Sequence, residues 1–198
     1  MKPTIAVTFP CHGSVMPWTV LTLLANVGRL AREGYGVVNV AGQSSIVAKS
    51  RNECVRGAQA NKADWIFMID ADISGPADII ERLLEHDKDI VGATYRRRGP
   101  PFELLGKPLT GDRLEGLTEM SHLPTGCLLI RASVFDRLRR PFFRFGVNEA
   151  SGEVISEDYT FCTDVRAAGF SIWCDTSVSE ELKHWGALPI GAKLDGSE

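Results

Sequence analysis

Residues 65–72 read Trp65-Ile66-Phe67-Met68-Ile69-Asp70-Ala71-Asp72. Five apolar residues in unbroken succession, followed at once by two carboxylates, predict a strand covered on both faces that stops at a polar edge. The flanks repeat the theme. Upstream, Ile5-Ala6-Val7-Thr8-Phe9 predicts a first strand, and Pro17 stands where a helix takes its first residue. Val20, Leu21, Leu24, Val27, Leu30 and Ala31 recur at helical spacing as far as a stop at Gly34. Gly36-Val37-Val38-Asn39-Val40 predicts a second strand, and Ser44 or Ser45 caps a helix reaching Asn61. Downstream, Pro76 opens a helix holding Ile79, Ile80, Leu83 and Leu84, and a fourth strand runs from Asp89 to Tyr95. Strands alternating with helices in this way imply a parallel sheet with right-handed crossovers.

The pattern then loosens. Residues 96–122 contain Arg96-Arg97-Arg98, prolines and several glycines, and predict a long excursion with one hairpin. Cys127 to Ile130 returns as a strand, and Ser133-x-x-Asp136 has the form of a capping box for a short helix. Ser156 caps a helix from Glu157 to Ala168, Gly169 ends it, and Phe170 to Cys174 is a last strand. The expected fold class is therefore α/β, a mostly parallel central sheet flanked by helices with a long mid-chain insertion. At 198 residues the chain is read as one domain. With 44% apolar and 24% charged residues it has an ordinary globular composition. A net charge of −3 argues against sequence-independent nucleic-acid binding, which needs a basic surplus.

The apolar start, Ile5 to Phe9, is too short for a secretory core region, and Val15 to Val27 is interrupted by Pro17, Thr19, Thr22 and Asn26. No membrane insertion is expected. Five cysteines, with no Cys-x-x-Cys pair, read as buried small hydrophobes in a reducing compartment, which predicts a cytoplasmic protein.

Open parallel sheets bind ligands beyond the carboxyl ends of their strands, and there Asp70 and Asp72 lie. In extended chain, residues two apart point the same way, so both carboxylates can meet one cation. Hard oxygen ligands that leave positions open for water and phosphate suit Mg²⁺ or Mn²⁺ on a nucleotide. The plainer reading is a pair of solvated turn acids. That reading is taken for the other Asp-x-Asp, Asp87-Lys88-Asp89, which precedes its strand at the opposite edge. Asp70-x-Asp72-x-Ser74-Gly75 with Glu81 also fits an EF-hand string, but that loop needs a helix before it. Haloacid-dehalogenase-like phosphatases have an apolar strand ending in Asp-x-Asp, with the first Asp, here Asp70, as nucleophile. Their motif closes the first strand of the domain, whereas two βα units precede this one, and Ser74 replaces the expected Thr or Val. There is no Walker loop and no Gly-x-Gly-x-x-Gly.

A third reading covers nearly the whole chain. Ser50-Arg51-Asn52, the run from Ala63 to Asp72, Asp89 to Ala93, Thr125 to Ile130, Ser156-Glu157-Asp158 and His184-Trp185-Gly186 follow one another in an order known elsewhere. In this the chain resembles GT-A nucleotide-sugar glycosyltransferases, and is most similar to the family 2-like enzymes of bacteria and phages. The resemblance implies a Rossmann-like GT-A fold, with a nucleotide-binding half over residues 1–95 and an acceptor and catalytic half over 96–198. It implies a hexosyl- or pentosyl-transferase in which Asp70 and Asp72 hold a cation on the donor diphosphate, Asp72 directly, with His184 completing the shell. An imidazole among oxygen ligands favours Mn²⁺ over Mg²⁺. Glu157-Asp158 matches the acidic pair whose Asp is the catalytic base of inverting members, so Asp158 takes that role.

The resemblance further implies that Phe9, Pro10, His12, Arg51 and Ala71 face a nucleoside-diphosphate sugar, a UDP-sugar. Gly126, Trp185 and Arg96 face an acceptor, either a saccharide or a hydroxylated nucleobase in DNA. The run Arg96-Arg97-Arg98 is read plainly as solvated surface, and in the sharper reading it flanks the acceptor site and meets an anionic acceptor. Each assignment has a plainer counterpart: first-turn acids for Glu157-Asp158, a surface helix charge for Arg51, a tail histidine for His184. A non-catalytic metal- or nucleotide-sugar-binding domain is the remaining alternative.

Overall fold

A computed structural model describes residues 2–111 and 113–186. The elements in chain order are β1 (Thr4–Cys11), α1 (Pro17–Arg32), β2 (Gly36–Gln43), α2 (Val47–Ala60), β3 (Trp65–Ile69), β4 (Ile73–Ser74), α3 (Ile79–Glu85) and β5 (Ile90–Gly92). There follow β6 (Lys107–Pro108), β7 (Leu117–His122), β8 (Cys127–Arg131), a 3₁₀ turn (Ala132–Arg137), β9 (Gly146–Val147), β10 (Val154–Ile155), α4 (Glu157–Ala167), β11 (Ile172–Asp175), α5 (Thr176–Glu181) and β12 (Lys183–His184). An eight-stranded sheet has the order β2-β1-β3-β8-β5-β11-β7-β6. β1 pairs parallel with β2 and β3, and β11 parallel with β5, while β8 and β7 run against their neighbours.

The unbroken apolar run of β3 has a simple cause. Successive side chains point to opposite faces, and both faces are covered. Ile66 and Met68 face α2 and α4 with Val55, Ala58, Phe161 and Val165. Trp65, Phe67 and Ile69 face the other way, with Leu30 of α1 and Ile79, Ile80 and Leu83 around α3. Among the described residues no helix is long and apolar enough to cross a membrane. Cys54, Cys127, Cys162 and Cys174 are buried and free, as expected of small hydrophobes, and burial pushes the Cys54 thiol up to about 11.

The structure departs from the sequence reading in several places. β8 is antiparallel and lies between β3 and β5, so the sheet is interleaved rather than filled in chain order. α2 starts after Ile46 with no side-chain cap, and Ser44 instead accepts a hydrogen bond from Ile46 N at 3.1 Å. The capping box at Ser133 is not formed, because that segment is a 3₁₀ turn without a side-chain cap. Asp87 and Asp89 are exposed turn acids, in keeping with the sequence reading, and they additionally pair with Arg131 of β8 at 2.8 and 2.9 Å.

α1 is turned about its axis relative to its apolar pattern. Thr19, Thr22 and Asn26 are buried, while Trp18, Val20, Leu21 and Leu24 are exposed. The reason is the loop into α3, whose backbone needs partners. Thr22 Oγ1 contacts Gly75 N and O, and Asn26 accepts from Ile80 N at 3.2 Å while donating to Pro76 O at 3.0 Å. α3 accordingly starts at Ile79, later than Pro76, and its first turn is capped from another helix.

Candidate functional site

The ends of β1 and β3 open into a cleft of about 790 Å³. Pro10, Cys11, His12 and Ser14 line it from the first strand, Asp70, Ala71 and Asp72 from the third, and Ser44, Ser45 and Ser50 from around the start of α2. Arg98 and Trp185 close it. The chain returns to this place because β12 pairs antiparallel with β4, setting His184 opposite Ile73. Trp185 N donates to Asp72 O at 2.8 Å, and the Trp185 ring donates through Nε1 to Ser74 Oγ at 2.7 Å while stacking on Trp18 at 5.5 Å.

Below the cleft lies a buried cation between two acids. Arg51 Nε donates to Glu157 Oε1 at 3.0 Å, and Nη2 to Asp70 Oδ2 at 3.3 Å. Nη1 lies 2.9 Å from Asp70 Oδ1 but is poorly directed, so that contact is Coulombic rather than a hydrogen bond. Burial alone would pull the Arg51 pKa down, and the charges of Asp70 and Glu157 more than reverse it. Arg51 therefore ties the end of β3 to the first turn of α4. Its position carried a readable signal, since Ala48, Arg51, Val55 and Ala58 form one stripe of α2 and all are buried.

Asp72 meets the cleft differently. Arg98 Nη1 lies 2.7 Å from its Oδ2, and His184 Nε2 lies 3.6 Å from its Oδ1. Burial raises the Asp72 carboxyl pKa, and His184 and Arg98 together outweigh it and leave the group below its ordinary value. The other ring nitrogen of His184, Nδ1, is 2.8 Å from Arg96 O. A carbonyl only accepts, so Nδ1 carries the proton and Nε2 presents its second bonding position to Asp72. Tyr95, buried three residues beyond the end of β5, packs edge-on against His184 at 4.9 Å. Burial first, and Asp70 second, push its phenol well above the usual range, so it stays protonated.

Gly126 explains itself by contact. A Cβ there would lie 2.6 Å from Asp70 Oδ2 and closer still to Tyr95 Oη, so any larger residue would displace one of them. Its carbonyl accepts from Asp70 N at 3.0 Å.

The remaining residues singled out in the sequence fall as follows. Glu157 is buried on Arg51. Asp158 is half-buried, and its Oδ1 accepts from Tyr159 N at 2.8 Å and from Ser156 Oγ. Phe9 lines a separate apolar hollow against α1, away from the cleft. Arg96 lines a neighbouring cavity and reaches Phe102 O with its side chain at 2.9 Å. The sequence does not single out Tyr95 as a site residue, since it is hidden in the tail of an apolar strand. Arg98 reads there within a basic run, as solvated surface or a flank of the acceptor site, and not as the partner of Asp72. Asp70 is entered from a strand, which is not the setting of an EF-hand loop.

Among the described residues no three His, Cys, Asp or Glu side chains gather into a metal-holding group. At the cleft Asp72 and His184 offer one carboxylate and one imidazole to a common point, beside Asp70, which is held by Arg51, and His12 in the same lining. Those two donors fit a divalent cation that arrives with a diphosphate, because such ions take few protein ligands and complete their shell from substrate oxygens and water.

No protein-family model and no curated protein matches this sequence. Among solved structures, the chain is similar to A197 from STIV, with a TM-score of 0.58 and 17% identity over 94% of this chain and 87% of that one. It is similar to S. aureus TarS in complex with UDP-GlcNAc, with a TM-score of 0.55 and 12% identity over 100% of this chain and 62% of that one. It is also similar to a mutant of Drosophila beta-1,4-galactosyltransferase 7 in complex with manganese, UDP-Gal and xylobiose, with a TM-score of 0.53 and 15% identity over 93% and 71%. Likeness at such identities is a statement about architecture: the chain has a GT-A-like fold.

Proposed function

We propose that this chain is a Mn²⁺- or Mg²⁺-dependent glycosyltransferase that moves a sugar from a nucleoside diphosphate to an acceptor hydroxyl with inversion. The observation that carries the reading is Asp72 facing His184 Nε2 at the foot of the cleft, with the imidazole oriented by Arg96 O. Two neighbours of the same fold are described with UDP-sugars, and one of them with manganese, which favours a uridine nucleotide. Asp72 and His184 would hold the cation, which when bound supplies positive charge to the departing diphosphate. Pro10 to Ser14 flank the nucleotide, and the Trp185 ring offers a flat apolar face beside it. Asp158 accepts the proton of the acceptor hydroxyl as its oxygen bonds to the anomeric carbon and the bond to the diphosphate breaks.

Thermal unfolding with UDP, GDP, CMP and dTDP, each with and without Mn²⁺, tests the donor site. A ligand at about 100 times its Kd adds about 2.7 kcal/mol, which for a chain of this size raises Tm by about 5–10 °C. We expect that shift with UDP and Mn²⁺ together, and its loss in Asp72→Ala. An equal shift in Asp72→Ala would reject the assignment. A positioned base contributes about 10²–10⁴-fold in rate, so Asp158→Asn should lose that much sugar transfer while keeping the UDP-dependent shift.

A further inference from the structure

We propose that the cavity behind His184 seats the acceptor, and that it selects an acceptor carrying a phosphate group on an apolar body. The word acceptor rests on the glycosyltransferase reading, whereas the ligand chemistry rests on the cavity itself. The cavity measures about 630 Å³ and shares Arg98 and Gly186 with the donor cleft. His184 stands in its lining while its Nε2 faces Asp72 in the cleft, so a ligand here abuts the candidate donor site.

Three further cations line this space: Arg96, Arg97 and Lys183. Among the described residues none of the three has a carboxylate within ion-pair distance, and Glu180 is the single carboxylate in the lining. Like charges gathered around a concavity repel one another, and an anion relieves that repulsion. A phosphate carries up to two negative charges and three accepting oxygens, and matches the planar fork of arginine.

The apolar half of the site is equally definite. Phe102 and Leu104 line the cavity and are 43% and 46% exposed. They are held beside the cations by the backbone of the same loop. Arg97 N donates to Glu103 O at 2.9 Å, Leu105 N to Tyr95 O at 3.0 Å, and the Arg96 side chain to Phe102 O at 2.9 Å. A built hairpin that presents apolar surface next to cations with no acid partner among the described residues fits a ligand that is anionic at one end and apolar at the other.

Calorimetric titration with phenyl phosphate tests this, with phenylacetate and neutral phenyl glucoside as comparisons, run with and without saturating UDP and Mn²⁺. Phenyl phosphate should bind in both conditions and at least tenfold more tightly than either comparison. Arg97→Glu, at an exposed position, should weaken it at least tenfold while leaving the UDP-dependent thermal shift unchanged. Absence of binding, unchanged affinity in Arg97→Glu, or displacement by UDP would overturn the proposal. Phenylacetate binding as tightly would overturn the choice of phosphate. If UDP and Mn²⁺ produce no shift while phenyl phosphate binds and Arg97→Glu weakens it, the anion site stands and the glycosyltransferase reading falls.

Discussion

Arg51 is the residue on which the arrangement of the site turns. Its guanidinium is buried between Asp70, which ends β3, and Glu157, which begins α4. Removing one member of a buried charged set leaves its partners desolvated and unpaired, at a cost of about 3–5 kcal/mol. Arg51→Met should therefore lower the stability measured by urea unfolding by about that amount. Adding Glu157→Gln should recover part of the loss, because the two positions share one interaction. Recovery would mark Glu157 as a residue that positions α4, leaving proton chemistry to its neighbour Asp158. From sequence Arg51 was read as a donor contact or a surface charge. Only its place on the buried stripe of α2 pointed inward, and a cation is seldom assigned to such a stripe.

At the level of elements, most of the architecture was legible and the exceptions share a cause. α2 and α4 are placed in the sequence from Ser44 or Ser45 and Ser156, whose side chains cap neither helix although Ser156 does stand at the N-cap position of α4, while β1, β2 and β3 follow from apolar run length. The rotation of α1 does not, because its buried face is chosen by the backbone of residues 75–80, which needs Thr22 and Asn26 as partners. Nor does the meeting of Asp72 with His184, which depends on a two-residue pairing between β4 and β12 too short to leave a periodic trace. α5 shows how much a short element depends on its cap. Asp175 accepts from Val178 N at 3.0 Å and also holds His86 Nε2 at 2.8 Å. Burial raises the Asp175 carboxyl pKa, and His86, Ser177 and Val178 N outweigh it and keep the group below its ordinary value. A carboxyl depressed in the folded state adds stability that is fully present above its unfolded pKa, about 3.9, and is lost as pH falls through the folded value. Asp175→Asn keeps a capping oxygen but loses the charge, and should be less stable than the parent at pH 7 by about 1 kcal/mol, the difference between hydrogen bonds to a charged and to a neutral group. The difference should begin to shrink at about pH 4 and vanish only as pH falls through the depressed folded value, and a difference that does not shrink on that descent would show that the charge is not the source.

At the scale of the whole molecule, the interleaving of β8 between β3 and β5 has a consequence for how the chain is made. Residues 1–95 contain β1, β2 and β3 and emerge first, yet the free side of β3 is completed only by Cys127–Arg131. Until then the most apolar strand of the protein is an open sheet edge, the kind of surface that recruits other chains. A fragment of residues 1–95 should form aggregates visible by light scattering, and should be rescued in part by a co-expressed fragment of residues 96–198. A soluble fragment that unfolds cooperatively by itself would count against this. The nascent chain thus has a dangerous interval whose length is set by the excursion between Arg96 and Pro124, and lengthening that loop should raise the demand for chaperones without altering the finished fold.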